Sequence, residues 1–196
     1  MKMRIALLPV VFAILMAIAG IGIPIPGATY GTPWMTAVHS QTMPDGESYD
    51  VDNIIFFLWG QEYTVVGKGL IQSKFTAYDF RDFPFYSMLA MILSVVIGIV
   101  TIILNKNSKL VLKGKEFNIT GAENPLWLLF ISTTLTTVAT IYLYYAAGVT
   151  IIPMFEANNY VTEYSYGIQF MGISAVAFVI SMVMTYLNFL SENKAE

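Results

Sequence analysis

Residues capable of chemistry are few in this chain, and they are scattered. The densest group is Asp45, Glu47, Asp50 and Asp52, all within one short stretch. Oxygen ligands so closely spaced are what a calcium ion takes, yet the stretch lacks the ligand pattern of an EF-hand loop and reads as a solvated acidic turn. Glu156 and Glu163 have no neighbouring feature that pairs them as general acid and base. The lone histidine, His39, excludes a haem held by two histidines of this chain. With no cysteine there are no disulfides, thiolate metal sites or thiol nucleophiles. Ser132, Thr136 and Thr140, with Thr133 and Thr137 beside them, form a hydroxyl stripe at helical spacing. Such hydroxyls ordinarily bond carbonyls of their own or a neighbouring helix. The alternative is a polar path for a solute, but transport sites usually add an intramembrane charge or a broken helix, and the sequence supplies neither. No catalytic constellation, cofactor or metal site is expected.

The elements that would position these residues are set by hydropathy. Of the 196 residues 56% are hydrophobic and only 12% charged, and a mean hydropathy of +0.64 exceeds what a soluble surface tolerates. A net charge of −3 argues against a nucleic-acid partner. Four runs without Lys, Arg, Asp, Glu or His, at 5–24, 85–104, 126–148 and 166–190, are each long enough to cross a ~30 Å hydrocarbon core as a helix. The expected fold is therefore an α-helical membrane protein with four transmembrane helices. Residues 1–24 hold the first span and 25–84 an extracellular loop domain. Residues 105–125 form a short loop, 149–165 a second outer loop, and 191–196 a tail.

Lys2 and Arg4 precede the first run, and Lys106, Lys109, Lys113 and Lys115 follow the second, whereas 149–165 has no basic residue. By the positive-inside rule the chain is a multi-pass protein of the cell membrane with both termini cytoplasmic. Trp127 and Tyr142, Tyr144 and Tyr145 bracket the third run, as headgroup-level aromatics do. The first run has a second reading: a basic start followed by Ala17-Ile18-Ala19 before Gly20 also fits a cleaved signal peptide, which would leave three spans.

Helices in lipid associate through close backbone approach and interhelical hydrogen bonds. Ala90, Ser94 and Gly98 in the second run, and Ala13, Ala17 and Gly20 in the first, are small residues placed for that purpose.

The first loop changes from proline-rich, with Pro24, Pro26 and Pro33, to β-prone. Strands are predicted at 34–39, 54–66 and 74–80, with turn chemistry in Pro44-Asp45-Gly46 and Gly67-Lys68-Gly69, giving a small antiparallel sheet. Alternation sends Ile55, Phe57 and Trp59 to one side and Ile54, Phe56 and Leu58 to the other, so one apolar set needs lipid or a partner. Trp59 is expected mid-sheet, with its ring at the junction with the helices. Residues 110–112 and 117–119 read as a hairpin around Lys113-Gly114-Lys115-Glu116. The sequon Asn118-Ile119-Thr120 falls on the cytoplasmic side and should stay unmodified.

Taken together, Trp34, Leu58-Trp59 and the segment Lys74-Phe75-Thr76-Ala77-Tyr78-Asp79 resemble the claudin and PMP22 family of four-helix membrane proteins. Trp34 stands where that family's first loop tryptophan would, Leu58-Trp59 matches its Leu-Trp pair, and 74–79 is similar to the last strand of its sheet. Gly60 follows the tryptophan instead of preceding the leucine, and the family's two cysteines are absent, so the strand-linking disulfide is missing. The resemblance implies an outer sheet that contacts other cells or membrane subunits. The expected function is a non-enzymatic scaffold, adhesion or accessory subunit, its partners being the bilayer and other membrane subunits or itself. Interaction and packing candidates are Trp34, Phe57, Leu58, Trp59, Ala90, Ser94 and Gly98. The alternative is a small channel or transporter component using the Ser/Thr-rich third helix.

Overall fold

A computed structural model describes residues 5–22, 32–42, 48–67, 70–106, 109–112, 115–118 and 124–194. The expected turn at 44–46, the acids Asp45 and Glu47, Lys68 and most of the sequon lie outside them.

The first helix, α1, is Leu7–Ile21, shorter at both ends than the 5–24 run suggested. Gly22 stops it: at φ 65° and ψ 48° it adopts the left-handed cap, and its N–H bonds the Ala19 and Ile18 carbonyls. Fifteen residues reach only ~22 Å. The helices long and apolar enough to cross a membrane, among the described residues, are therefore three: Phe83–Leu104, Pro125–Glu156 and Tyr166–Ser191. They fit a membrane-embedded protein.

Helix α2 covers Phe83–Lys106 and α3 Asn124–Ala146. The third run does not end near residue 148. It continues through a π-helical turn at Ala147–Ile151 into α4, Ile152–Glu156. Pro153 explains the widened turn, because it has no N–H to donate and its ring would strike the carbonyl of an α-helical turn before it. Asn159, at φ 62°, then reverses the chain. The last helix, α5, is Tyr166–Lys194.

Each long helix has one buried seam spaced alternately three and four residues apart. In α2 it is Ser87, Met91, Ser94, Gly98 and Thr101; in α3, Leu129, Ser132, Thr136, Ala139 and Leu143; in α5, Met171, Ser174, Phe178, Ser181 and Thr185. This heptad-like spacing keeps one stripe facing its neighbours. Helix α1 packs on α5 and α2, and α3 on α2 and α5.

The larger sheet has five strands in the order β4-β3-β2-β1-β7, all antiparallel. They are β1 Met35–Thr42, β2 Ser48–Phe57, β3 Gly60–Gly67, β4 Leu70–Ala77 and β7 Val161–Tyr164. Two differences from the sequence reading have physical causes. The stretch 54–66 is a hairpin, with Leu58 and Trp59 as its turn, because Phe57 pairs with Gly60 across a two-residue loop. Trp59 therefore sits at the end of the sheet and not in its middle. The fifth strand comes from the segment between α4 and α5, whose alternating Val-Thr-Glu-Tyr pattern pairs with β1. Strands β5 Lys109–Leu112 and β6 Lys115–Asn118 form the expected hairpin between α2 and α3.

Candidate functional site

Three features around the larger sheet combine side chains from distant parts of the chain: a buried aromatic core, an aromatic junction, and a polar clamp.

The core is built on Trp34, which is fully buried. Its indole N–H donates to the Phe57 carbonyl at 3.1 Å, so the polar edge of the ring is satisfied. Its ring lies 5.8 Å from Phe56 and 6.2 Å from Phe83 at the start of α2. Phe56 in turn meets Phe155 of α4, edge to face. One face of the sheet, carrying Met35, Ala37, Ile54 and Phe56, is thereby sealed by α4 and the helix ends. Backbone bonds tie the same point to α5, where Ser165 N–H donates to Trp34 O and Gly167 N–H to Pro33 O. A Cβ on Gly167 would stand 2.7 Å from that Pro33 oxygen, so only glycine allows this approach.

The junction is formed by Phe57, Trp59 and Phe75. Trp59 stacks on Phe57 at 5.5 Å and lies 4.5 Å from Phe75. Its indole N–H donates to the Gly22 carbonyl at 3.0 Å, fastening the hairpin turn to the end of α1. Gly60 makes room, since a Cβ there would collide with the Phe75 ring and stand 2.6 Å from Thr76 O. The expected division into one covered and one open set does not hold: Ile54, Phe56, Phe57 and Leu58 are all buried, while Ile55 and Trp59 are half-buried. Leu58 and Phe57 both turn inward because the turn folds over the end of α1.

The polar clamp joins Asp52 of β2, Tyr63 of β3 and Tyr160 before β7. The Tyr160 hydroxyl donates to Asp52 Oδ2 at 3.3 Å, and Tyr63 also hydrogen-bonds that carboxylate. His39, opposite Asp52 in the register, sets its ring 5.1 Å from that of Tyr160. Burial, then the Asp52 charge, pushes the Tyr160 phenol up to about 12 and raises Tyr63 in the same way. Both phenols therefore stay neutral donors to the carboxylate. A second fastening lies below, where the Tyr164 hydroxyl donates to Tyr144 O at 3.1 Å and the two rings stack at 4.6 Å. That carbonyl belongs to the turn just before the π-helical widening, where an α-helical ladder loses its regular partners.

The chemistry available here is modest. Asp52 is occupied by phenols, and among the described residues no group of three or more His, Cys, Asp or Glu side chains converges to hold a metal.

The packing candidates fall at helix contacts. Ser94 Oγ donates to Ser132 O at 3.0 Å and lies 2.6 Å from Thr136 Oγ1, while Ser132 Oγ returns a bond to Ser94 O. A Cβ on Gly98 would meet Ile14 at 3.1 Å and Phe178 at 3.3 Å. Ala90 is half-buried beside the core. The α3 hydroxyls bond carbonyls: Thr133, Thr134, Thr136 and Thr140 each donate to the residue four before.

Sequence reading missed the matching hydroxyls of α5. Ser174 donates to Ala13 O, Ser181 to Ala6 O, and Thr185 accepts from the Ala6 N–H. Their spacing of seven and four residues was the available signal. The clamp was not legible, since Asp52 and Tyr160 are 108 residues apart.

No protein-family model matches this chain, and no curated protein matches it.

Proposed function

We propose that the protein is a non-enzymatic membrane subunit of four spans, with the short α1 completing the bundle, and that its outer sheet docks on a partner protein. The reading follows the claudin-like order of parts, with Trp34 and the Leu58-Trp59 turn at the root of the sheet. The observation that carries it is an asymmetry within that sheet. The β7-β1-β2 half is sealed against the helices, while β3 and β4 extend beyond α4 and present Tyr63, Ile71, Gln72, Ser73 and Lys74 to the outside. Ile71 is 74% exposed on a strand at the sheet's edge, six residues before the strand ends. That places it ~20 Å from the point where the chain returns to α2. A partner strand or loop can reach such an edge without disturbing the helices.

Crosslinking in native membranes, followed by mild detergent extraction, tests the reading. A defined neighbour linked through residues 70–74 is the expected result, and a chain that stays a lone monomer would overturn it. Orientation is proposed with both termini cytoplasmic. Because the chain has no cysteine, Ser48→Cys should label with an impermeant maleimide in intact cells and Ser108→Cys should not.

A further inference from the structure

Away from the sheet, a groove runs along the outer surface where α1 meets α5. It has a volume of about 720 Å³, within the ~300–1,000 Å³ typical of small-molecule sites. Leu8 and Phe12 form one wall, and Ile173, Val176 and Ile180 the other. All five are exposed hydrophobics, and Leu8 is 82% exposed. The floor contains Gly172, where an added Cβ would meet no atom within 4 Å. From Gln169 to Ile180 the groove follows α5 for ~16 Å.

Its polarity is graded. The polar side chain of the lining is Gln169, at the end nearest the sheet, and it has no hydrogen-bond partner in the protein. Every other side chain of the lining is apolar. A free primary amide close to the hydrocarbon is costly unless something bonds it. An occupant with hydrogen-bonding oxygens at the sheet-side end and a long apolar chain beyond them matches this gradient. A second transmembrane helix fits less well, because helix contacts in lipid are enriched in small residues one turn apart, and one and two turns after Gly172 stand Val176 and Ile180, both bulky and outward.

We propose that this groove is a binding site for one membrane lipid of the sheet-side leaflet. Its acyl chain lies over Gly172 between α1 and α5, and an oxygen of its glycerol or headgroup region accepts from the Gln169 amide. The site is independent of the docking surface on the sheet and rests only on α1 and α5 lying in lipid.

The test uses the full chain in nanodiscs of phosphatidylcholine that carries a photoactivatable group midway along one acyl chain. Labelling should concentrate on Phe12, Ile173 and Val176, well above lipid-facing Val96 and Ile99 of α2. Gly172→Phe, which fills open space and should leave the melting midpoint unchanged, should lower it to the α2 level. Gln169→Leu, an exposed position that keeps the fold, should weaken retention about five-fold, as loss of one hydrogen bond does. Even labelling around the helices, or labelling indifferent to both variants, would overturn the site. Loss of a crosslinked protein neighbour in Gly172→Phe with lipid labelling intact would also overturn it, by assigning the groove to a helix. No labelling on any helix would refute the membrane placement itself.

Discussion

Two halves of one sheet, built from similar residues, end in opposite situations. In β1 and β2, Met35, Ala37 and Phe56 are almost without solvent contact, and in β3 and β4, Tyr63 is 37% exposed and Ile71 74%. Strand pairing is continuous across the boundary, so the difference does not come from the ladder. It comes from what lies beneath: α4 and the helix ends cover one half and stop before the other. A sheet that must bury one face for stability has completed that task with three strands. The two remaining strands are held by pairing, by the Tyr63 end of the clamp and by the Phe75 ring against Trp59, and the surface from Ile71 to Lys74 is exposed.

The largest effect that separates the halves is expected at Trp34. Truncating a fully buried aromatic costs ~3–5 kcal/mol, and Trp34→Ala also removes the indole hydrogen bond to the Phe57 carbonyl. The sheet should become protease-sensitive and the melting midpoint in detergent should fall sharply. Trp59→Ala removes a half-buried ring and one hydrogen bond to Gly22, so a loss of about 1–2 kcal/mol is expected. Equal losses at the two positions would mean that the turn, not the core, holds the sheet.

The helices provide a reference for the sealed half. Gly98→Leu places a branched side chain where even a Cβ is 3.1 Å from Ile14, and overpacking of this kind costs ~1–3 kcal/mol. Because Gly98 is remote from the sheet in the chain, the variant should lower the melting midpoint without exposing protease sites in β1 to β4. Proteolysis of the strands at wild-type midpoint would reverse that assignment.

How much of this was legible in the sequence depends on the range of the signal. The apolar runs and the strand-prone loop are local patterns, and they located α2, α3, α5 and most of β1 to β4. The Ser94 and Gly98 contacts followed from small residues one turn apart. What was misplaced depended on partners far along the chain. Trp59 was expected in a strand because its neighbours alternate, but Gly60 opposite Phe57 makes a turn. The fifth strand was invisible in a four-residue segment, whose pairing with β1 is set by the reversal at Asn159. The end of α1 was overestimated because hydropathy continues through Ile23 while the backbone is already capped by Gly22.

The clamp lies on the border between the halves, and pH probes it. The folded Tyr160 phenol is raised to about 12 from its ordinary 10.0 by burial and then by Asp52. A raised folded value means that the neutral phenol stabilises the fold. Its contribution is fully present below the unfolded value and is lost as pH rises through the folded one. The sheet's stability should therefore hold to about pH 10 and decline towards pH 12, while Tyr160→Phe should start lower, by about 1.5 kcal/mol, and change less over that window. Phenolate absorbance and denaturant midpoints measured together check it. A variant with the wild-type alkaline profile would show that other groups hold the segment between α4 and α5 in place.

The smallest effect on stability should accompany the largest effect on binding. Ile71 is highly exposed and far from the sealed face, so Ile71→Glu removes little buried area, and surface substitutions of this kind usually stay within ~0.5 kcal/mol. The side chain nevertheless opens the exposed stretch of β4 from Ile71 to Lys74, and the other exposed hydrophobics among the described residues lie mainly on helices fit for lipid. An exposed apolar residue on an edge strand is a position that proteins otherwise protect with charge. Placing a carboxylate there desolvates poorly and opposes any apolar contact, so the crosslinked neighbour should be lost while the melting midpoint stays unchanged. The comparison between the halves predicts that dissociation. A variant that keeps its neighbour would show the distal strands to be ordinary surface, and one that loses both neighbour and stability would show that the outer half, too, is needed for the fold.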